Sequence, residues 1–128
     1  MPVTVERIPD KPIIILHYEG FLDLATVKSA FEQSAAIATG IEGTVYRIAD
    51  FRAAHSNFVE IVNILKANRA NMPGSSADAK FQVIFVGQNR LAHFVADALK
   101  QLGAAPIPFF HTPEDAMQFI ELERQKQL

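Results

Sequence analysis

Apolar residues in this chain recur with two different spacings, which alternate from one segment to the next. Short runs that are apolar at every position or at every second position are typical of β-strands. Residues 13–16 are apolar throughout, which indicates a strand buried on both faces, as in the interior of a parallel sheet. Five strands are predicted, at residues 3–8, 13–20, 44–49, 81–86 and 106–110. Two prolines in the last segment remove hydrogen-bond donors, which places that strand at an edge of the sheet.

Between and after these strands, apolar residues return every three or four positions, the spacing of an amphipathic helix. Each of these helical segments follows a residue whose side chain accepts hydrogen bonds from free N–H groups at a helix start. The predicted N-caps are Asp23, Ser56, Asn57, Asn89 and Thr112, of which Ser56 and Asn57 stand before the same helix. The resulting order is β-β-α-β-α-β-α-β-α, which predicts right-handed crossovers and a mainly parallel sheet. Neither a linker nor a repeat interrupts it, so we predict an α/β fold in a single domain over residues 1–128.

Three segments carry a resemblance to a known fold. They are Asp50-Phe51-Arg52 at the end of the third strand, the strand at residues 81–87, and the strand-to-helix segment at residues 111–120. With the opening strand pair, they resemble the SpoIIAA-like fold of STAS and SEC14 (CRAL-TRIO) domains, in particular the small stand-alone bacterial proteins of this type. The resemblance implies strands roughly in sequence order, an N-terminal edge strand, and a role in regulation or binding. A flavodoxin-like strand order with helices on both faces is the alternative.

The residues after Asp50 differ from those of the regulatory proteins that this fold includes. STAS anti-sigma factor antagonists carry a phosphorylatable serine or threonine just after the aspartate that ends this strand. Here Phe51 and Arg52 follow Asp50, and the first hydroxyl is that of Ser56. We therefore predict no phosphorylation site.

The composition is that of an ordinary globular protein, with 49% hydrophobic and 20% charged residues. The net charge is −2 and the basic residues are scattered, which disfavours nucleic acid as a partner. Cysteine is absent, which excludes disulfides, cysteine-bound metals and a thiol nucleophile. The purely apolar runs are far too short to cross a bilayer, and the N-terminus lacks the pattern of a signal peptide. We therefore expect a cytoplasmic protein without a membrane span.

The carboxyl ends of parallel strands form one edge of a sheet, and the ligands of α/β proteins gather there. Polar side chains and phenylalanines are concentrated at this predicted edge. The predicted ligand-binding residues are Phe51, Arg52, His55, Asn89, Arg90 and His111. An edge with phenylalanines and few polar groups suits an apolar or amphiphilic small molecule. A regulatory protein is the other partner that we consider.

Motifs for the commonest catalytic and cofactor chemistries are missing from the sequence. It contains no HExxH, GxGxxG, GxxxxGK[ST] or GxSxG pattern, so we predict no metal, no cofactor and no catalytic residue. Asp50 has a simpler interpretation, as the partner of Arg52 or Arg90 in an ion pair. The alternative is a small enzyme whose acid–base groups converge at this edge of the sheet. Those groups are Asp50, Arg52, His55 and His111.

Six of the ten phenylalanines recur at positions that face the predicted core. They are Phe31, Phe58, Phe81, Phe85, Phe94 and Phe119. The remaining four lie near the carboxyl edge or in the last strand, where they would contribute to a ligand site.

The second face of the predicted sheet determines the expected assembly. Strands that advance in one direction place the helices mainly on one face, which leaves apolar side chains on the other. The first helix, the C-terminal segment or a second subunit must cover that face, and we expect a homodimer. A structural subunit that binds another chain through this face is the third functional alternative.

Overall fold

The computed structural model describes residues 3–69, 78–87, 90–101 and 107–126, and its elements follow the predicted order. The strands are β1 (Val3–Arg7), β2 (Ile13–Phe21), β3 (Val45–His55), β4 (Phe81–Val86) and β5 (Phe109–Phe110). The helices are α1 (Leu24–Ala38), α2 (Phe58–Arg69), α3 (Arg90–Gln101) and α4 (Pro113–Lys126). Over the residues described, none of these helices combines the length and apolarity needed to cross a membrane. Asn89, the predicted cap of α3, lies outside the described residues.

The five strands form one sheet in the order β1-β2-β3-β4-β5, with β1 antiparallel to β2 and the other neighbours parallel. Strand order in sequence and an N-terminal edge strand confirm the SpoIIAA-like expectation and exclude the flavodoxin-like order. Asp50 pairs with Val86, and Val86 pairs with Phe110, so three parallel strands reach the same edge. The expectation that distant loops meet along one margin is therefore confirmed.

Alternation of side chains along the strands divides the apolar residues between two cores, one on each face of the sheet. In β4, Val83 and Phe85 belong to the first core, whereas Ile84 and Val86 belong to the second. The first core also contains buried residues of α1, α2 and α3, so these helices cover one face. The second core contains buried residues of α4, so the C-terminal helix covers the other face.

The position of α4 changes the expectation about assembly. The strand residues of the second core are at most 5% exposed, so α4 and its neighbours already bury this face. Where the same face continues onto β1 and β2, it carries Thr4, Glu6 and His17, which are exposed or half-buried polar residues. A second subunit is not needed to cover the face from which the homodimer was inferred, and we do not propose one.

β3 and β5 differ in length from their predictions. The polar residues Asp50 and Arg52 suggested that the third strand stops there, but β3 continues to His55 and pairs with the end of β2 beyond a register shift. The strand continues because the end of β2 supplies it with a backbone partner, and the two polar side chains pair with each other. β5 is reduced to two residues. Pro108 has no N–H group to donate, and its carbonyl accepts a hydrogen bond from the N–H group of Phe85.

Three of the predicted N-caps are confirmed by hydrogen bonds from backbone N–H groups in the first turn of each helix. The side-chain acceptors and N–H donors are Asp23 Oδ1 with Thr26 (2.8 Å), Asn57 Oδ1 with Glu60 (2.9 Å) and Thr112 Oγ1 with Asp115 (3.2 Å). These caps place the starts of α1, α2 and α4 directly after the strands, at the carboxyl edge. The prediction of Ser56 as a cap is wrong, because Asn57 caps α2 and the Ser56 hydroxyl donates to the carbonyl of Leu22.

Candidate functional site

Asp50 lies where β3 reaches the carboxyl edge, on the face of the sheet that α4 covers. Its carboxylate accepts hydrogen bonds from Nε (3.0 Å) and Nη2 (2.8 Å) of Arg52 and from the backbone N–H of Arg52 (3.0 Å). Residues two positions apart in a strand share a face, so the local sequence is sufficient to form this pair. The predicted ion pair of Asp50 is confirmed, and its partner is Arg52.

Two opposing effects act on the pKa of Asp50. Burial raises the pKa, because the charged form loses contact with water. The hydrogen bonds and charge of Arg52, together with the charge of His17, outweigh burial and hold the pKa below its ordinary value. The pKa of Arg52 is raised in turn, mainly by the hydrogen bond to Asp50. Both partners are therefore ionised at neutral pH.

His17 connects this ion pair to the edge strand. Its Nε2 lies 3.2 Å from Oε1 of Glu6, and its Nδ1 lies 3.5 Å from Oδ2 of Asp50. Together with Arg52, these residues form a chain of polar groups across β1, β2 and β3. His17 is therefore a partnered histidine at the end of an apolar run. Glu6 was not predicted, because a cross-strand contact depends on register and not on local sequence.

His55 and His111, the predicted acid–base candidates, do not join Asp50. His55 is exposed at the end of β3, where its ring meets that of Phe21 edge-on at 5.7 Å. His111 follows β5 and is also exposed. Within the described part of the chain, the histidine that approaches Asp50 is His17. Among all the residues that the structure describes, no group of three or more histidine and carboxylate side chains is placed to hold a metal ion.

Phe51 lies in the first core and not at the edge where the sequence placed it. It is 5% exposed, stacks on Tyr18 at 5.4 Å and meets Phe85 edge-on at 5.0 Å. The cause is the extension of β3, which makes Phe51 an interior strand residue. Arg90 is exposed at the start of α3, whereas Asn89 lies outside the described residues. The predicted ligand-binding residues that are exposed are Arg52, His55, Arg90 and His111.

Three apolar side chains at α2 and α3 are exposed to solvent. Phe58 is 69% exposed, Val59 66% and Phe94 43%, and the two phenylalanine rings meet edge-on at 6.4 Å. We call these three residues the Phe58 patch. The prediction that Phe58 and Phe94 belong to the core is wrong. Helical spacing identifies the stripe of a helix that faces a core, but it does not show how far along the helix the neighbouring elements extend.

The turns beside the Phe58 patch are tied together by hydrogen bonds. The N–H group of Leu22 donates to the carbonyl of His55 (2.7 Å), and the Ser56 hydroxyl donates to the carbonyl of Leu22 (2.7 Å). The N–H group of Leu24 donates to Oε2 of Glu60 (3.2 Å). These bonds hold the start of α1 against the start of α2, which is the helix that carries Phe58 and Val59.

A cavity of about 40 Å³ lies between the sheet and helices α1, α2 and α3. Among its described lining residues, every side chain is apolar except those of Tyr18 and Arg47. Phe51 is one of the apolar lining residues, so its place in the structure is the inner wall of this cavity. A space of this size holds a few water molecules or a very small ligand.

Arg47 brings a positive charge into the first core, where it is 1% exposed. Its guanidinium carbon lies 4.6 Å from the ring centre of Phe81 and 5.1 Å from that of Phe31. Burial lowers the pKa of Arg47 to about 10 and raises the pKa of Tyr18 to about 12. Arg47 is therefore charged, and Tyr18 protonated, at neutral pH. Sequence reasoning missed Arg47, although a charged residue amid apolar neighbours in a predicted strand is a readable signal.

Comparison with known proteins bears on the fold. No protein-family model matches the sequence, and no curated protein matches it. An uncharacterized DUF3478-family protein with a SpoIIAA-like fold, from Shewanella loihica PV-4, is similar with a TM-score of 0.61 and 16% identity, over 91% of this chain and 90% of that chain. An anti-sigma factor antagonist from Mycobacterium paratuberculosis is similar with a TM-score of 0.54 and 16% identity, over 93% of this chain and 92% of that chain.

These similarities define the class of fold. The chain has the SpoIIAA-like fold, and the resemblance to stand-alone STAS-type domains is confirmed at the level of the fold. Structural similarity at a sequence identity of 16% supports the fold, but it does not support a function. Function therefore has to be argued from the residues of this chain.

Proposed function

We propose that this chain, as a single domain over residues 1–128, is a non-catalytic regulatory module that binds a protein partner at the carboxyl edge of its sheet. The observation that carries the proposal is the Phe58 patch, in which two aromatic rings and a valine lie exposed. Contiguous exposed apolar groups mark interaction sites, and aromatic residues supply much of the binding energy of protein interfaces.

Two of the polar residues predicted at this edge stand next to the helices that carry the patch, and we assign them to its border. His55 ends β3 just before α2, and Arg90 begins α3. Arg52 and His111 lie toward α4, on the other side of the sheet edge, and stay predicted binding residues. A hydrophobic centre with a polar rim is the usual anatomy of a protein interface. Phe21, which is 41% exposed and contacts His55, extends the apolar area to the end of β2. Asn89 stays a predicted member of the border, since it stands between β4 and α3 in the sequence.

The fold is compatible with a regulatory role. One similar structure is an anti-sigma factor antagonist, a protein named for its regulatory effect on another protein. We propose regulation by binding alone for this chain. Phe51 and Arg52 stand after Asp50, where a phosphorylated residue would be required by analogy with STAS antagonists.

A protein partner is favoured over an apolar small molecule by the size of the internal cavity. Sites for small molecules have volumes of roughly 300–1,000 Å³. The cavity between the sheet and α1, α2 and α3 has about 40 Å³, which is too small for a lipid-like ligand. Within the described part of the chain, the exposed phenylalanines therefore fit the surface of another protein better than they fit the mouth of this cavity.

A non-catalytic role is favoured by the arrangement around Asp50. Both carboxylate oxygens of Asp50 accept hydrogen bonds from Arg52, so its charge is committed to a structural ion pair. The exposed histidines of the edge, His55 and His111, are not among the described partners of that carboxylate.

Capture of a partner by matched variants tests the proposal. Tagged wild-type protein, the double variant Phe58→Ser/Phe94→Ser and the control Leu122→Ser are each incubated with lysate of the source organism. Leu122 is 59% exposed on α4, so the control removes a comparable apolar group away from the patch. We expect a protein, identified by mass spectrometry, that binds the wild type and the control and is lost from the double variant.

Titration calorimetry with the purified partner then gives the size of the effect. Loss of aromatic anchors should weaken binding about 30-fold or more, as for an interface hot spot. Circular dichroism of each variant checks that the fold is kept, which surface substitutions normally allow. Equal binding by all three proteins, or no captured partner for the wild type, would refute the proposed surface.

A further inference from the structure

β1 is the outermost strand at one side of the sheet, and every second residue in it directs its backbone groups away from β2. The N–H group of Ile8 donates to the carbonyl of Ile13 at 2.9 Å, so these two residues form a hydrogen-bonded pair. Such pairs alternate along an antiparallel ladder, which identifies the residues of β1 that face outward. They are Val3, Val5 and Arg7. Over the part of the chain that the structure describes, no hydrogen bond reaches their outward N–H and C=O groups.

The two sides of the sheet differ in how they are protected against pairing with a further strand. Proteins usually block an exposed outer strand with proline, lysine or a bulge, or by making it very short. β5 has only two residues, and Pro108 precedes it. β1 has five residues in continuous register with β2, and neither proline nor lysine stands among them. β1 is therefore the side of the described sheet that can accept another strand.

A second copy of β1 is complementary to the first when the two strands run antiparallel about a two-fold axis at Val5. Val5 then lies opposite its own copy and Val3 lies opposite Arg7, so the outward backbone groups all form hydrogen-bonded pairs. Thr4 lies opposite Glu6. An axis at Glu6 would set two carboxylates opposite each other, and an axis at Thr4 would leave part of the strand unpaired. The strand therefore matches its own copy best in the Val5 register.

The polar side chains of β1 support the same register. Thr4 and Glu6 are exposed, and Oε1 of Glu6 lies 3.2 Å from Nε2 of His17. In the Val5 register, the Thr4 hydroxyl of the second copy lies beside this carboxylate and has a proton to donate to it. The chain of polar groups that runs from Arg52 through Asp50 and His17 to Glu6 then continues into the second copy. Each copy thus contributes a donor to the polar chain of the other.

We infer that β1 is a self-association strand, through which two copies of this chain pair antiparallel over Val3–Arg7 and join their sheets. The contact is restricted to a short strand, so the dimer is reversible and forms as the protein concentration rises. It differs from the homodimer predicted from the sequence, which was to cover the second face of the sheet. It also involves none of the residues of the Phe58 patch, so the two proposals are tested separately.

Sedimentation equilibrium of the full chain, at protein concentrations from about 1 μM to 1 mM, tests the pairing. We expect the wild type to pass from monomer to dimer and Val5→Pro to stay monomeric, because proline lacks the N–H group that pairs at the two-fold axis. Proline is accepted in an outer strand where its missing N–H group faces outward, and circular dichroism checks that the fold is kept. The control Phe58→Ser/Phe94→Ser should dimerise like the wild type.

Two variants of the exposed residue Thr4 test the register, and they decide the matter if Val5→Pro does not fold. Thr4→Glu sets a second carboxylate opposite each Glu6, so the dissociation constant of the dimer should rise about two- to thirtyfold. Thr4→Lys sets a cation there and should lower the constant by a similar factor.

Four results would overturn the inference. A wild type that stays monomeric throughout would show that this strand is closed or serves a different protein. A dimer that persists in folded Val5→Pro, or one that is lost in Phe58→Ser/Phe94→Ser, would place the contact elsewhere. Equal effects of Thr4→Glu and Thr4→Lys would rule out the Val5 register.

Discussion

Arg47 and Asp50 are both charged and both buried in β3, yet each is stabilised in a different way. Asp50 forms an ion pair with Arg52 at the edge, with Nη2 at 2.8 Å. Arg47 is enclosed by the rings of Phe31 and Phe81, where cation–π attraction offsets part of the lost hydration. Because their side chains alternate between the two faces of the sheet, the two charges are compensated separately.

Removal of the Asp50 charge should destabilise the protein at neutral pH but not in acid. The pKa of Asp50 is lowered in the folded state, so its contribution is present above the ordinary aspartate pKa and is lost as pH falls through the lower folded value. We expect Asp50→Asn to reduce the free energy of unfolding by about 1–3 kcal/mol at pH 7. The difference should shrink toward zero as the pH falls below the lowered pKa of Asp50.

Urea unfolding of wild type and variant at both pH values measures this effect. Asp97→Asn on α3 is the control, since Asp97 is exposed and should change stability little at either pH. An equal loss at neutral and acid pH would show that Asp50 stabilises by shape alone and not by its charge.

At the scale of the elements, nearby cap residues fix where the helices start, and hydrogen bonds then connect the start of α1 to α2. Asp23 caps α1 through a hydrogen bond of 2.8 Å from the N–H group of Thr26. Glu60 of α2 then accepts a hydrogen bond from Leu24, the first residue of α1. The edge that carries the proposed interaction surface is therefore stabilised by caps within helices and by bonds between them.

Replacement of the α1 cap should weaken the protein by an amount typical of helix capping. We expect Asp23→Ala to cost about 0.5–2 kcal/mol at neutral pH, whereas Asp23→Asn, which keeps an acceptor, costs less. The hydrogen bond from the Thr26 N–H group lowers the pKa of Asp23, so the cost to the alanine variant should fall as the medium becomes acidic. Chemical denaturation of both variants checks this, and identical losses would argue against capping.

At the scale of the whole molecule, the sheet has three helices on one face and α4 on the other. α4 buries Ala116 and Ile120 against the second core, and its Glu121 meets Lys11, from the turn before β2, at 3.0 Å. That ion pair is well exposed and contributes little. The apolar contact of α4 is therefore what closes the second face.

The closure by α4 predicts unequal effects for two apolar residues of the same helix. Ile120 is fully buried, so Ile120→Ala should lower the free energy of unfolding by about 2–5 kcal/mol. Leu122 is exposed, so Leu122→Ala should change it by less than about 0.5 kcal/mol. Urea denaturation measures both, and similar losses for the two variants would mean that α4 does not seal the second core as described.

Features that depend on neighbours in the chain were predicted well. The strand at residues 81–86 was predicted with its observed bounds, and the caps Asp23, Asn57 and Thr112 were identified from residue type and position. The parallel order followed from the alternation of strands with helices. The Asp50–Arg52 pair was also predictable, because two residues that are two positions apart in a strand lie on the same face and can contact each other in any fold.

Features that depend on contacts between distant segments could not be predicted from local sequence patterns. The contact of His17 with Glu6 requires the register of β1 on β2. Burial of Phe51 requires the continuation of β3 past its ion pair, and exposure of Phe58 depends on which described elements reach the start of α2. Each of these facts depends on packing between segments far apart in sequence. The spacing of apolar residues within one segment gives no information about such packing.

The amino-acid sequence by itself determined the order of the elements, the capped helix starts, the direction of the strands and the margin where a site would lie. These follow from periodicity, capping chemistry and the handedness of crossovers, all of which act over short stretches of chain. Only the tertiary structure decided which phenylalanines are exposed, which face α4 covers, and that Arg47 lines a cavity. Exposure is set by what packs opposite a side chain, and that partner comes from elsewhere in the chain.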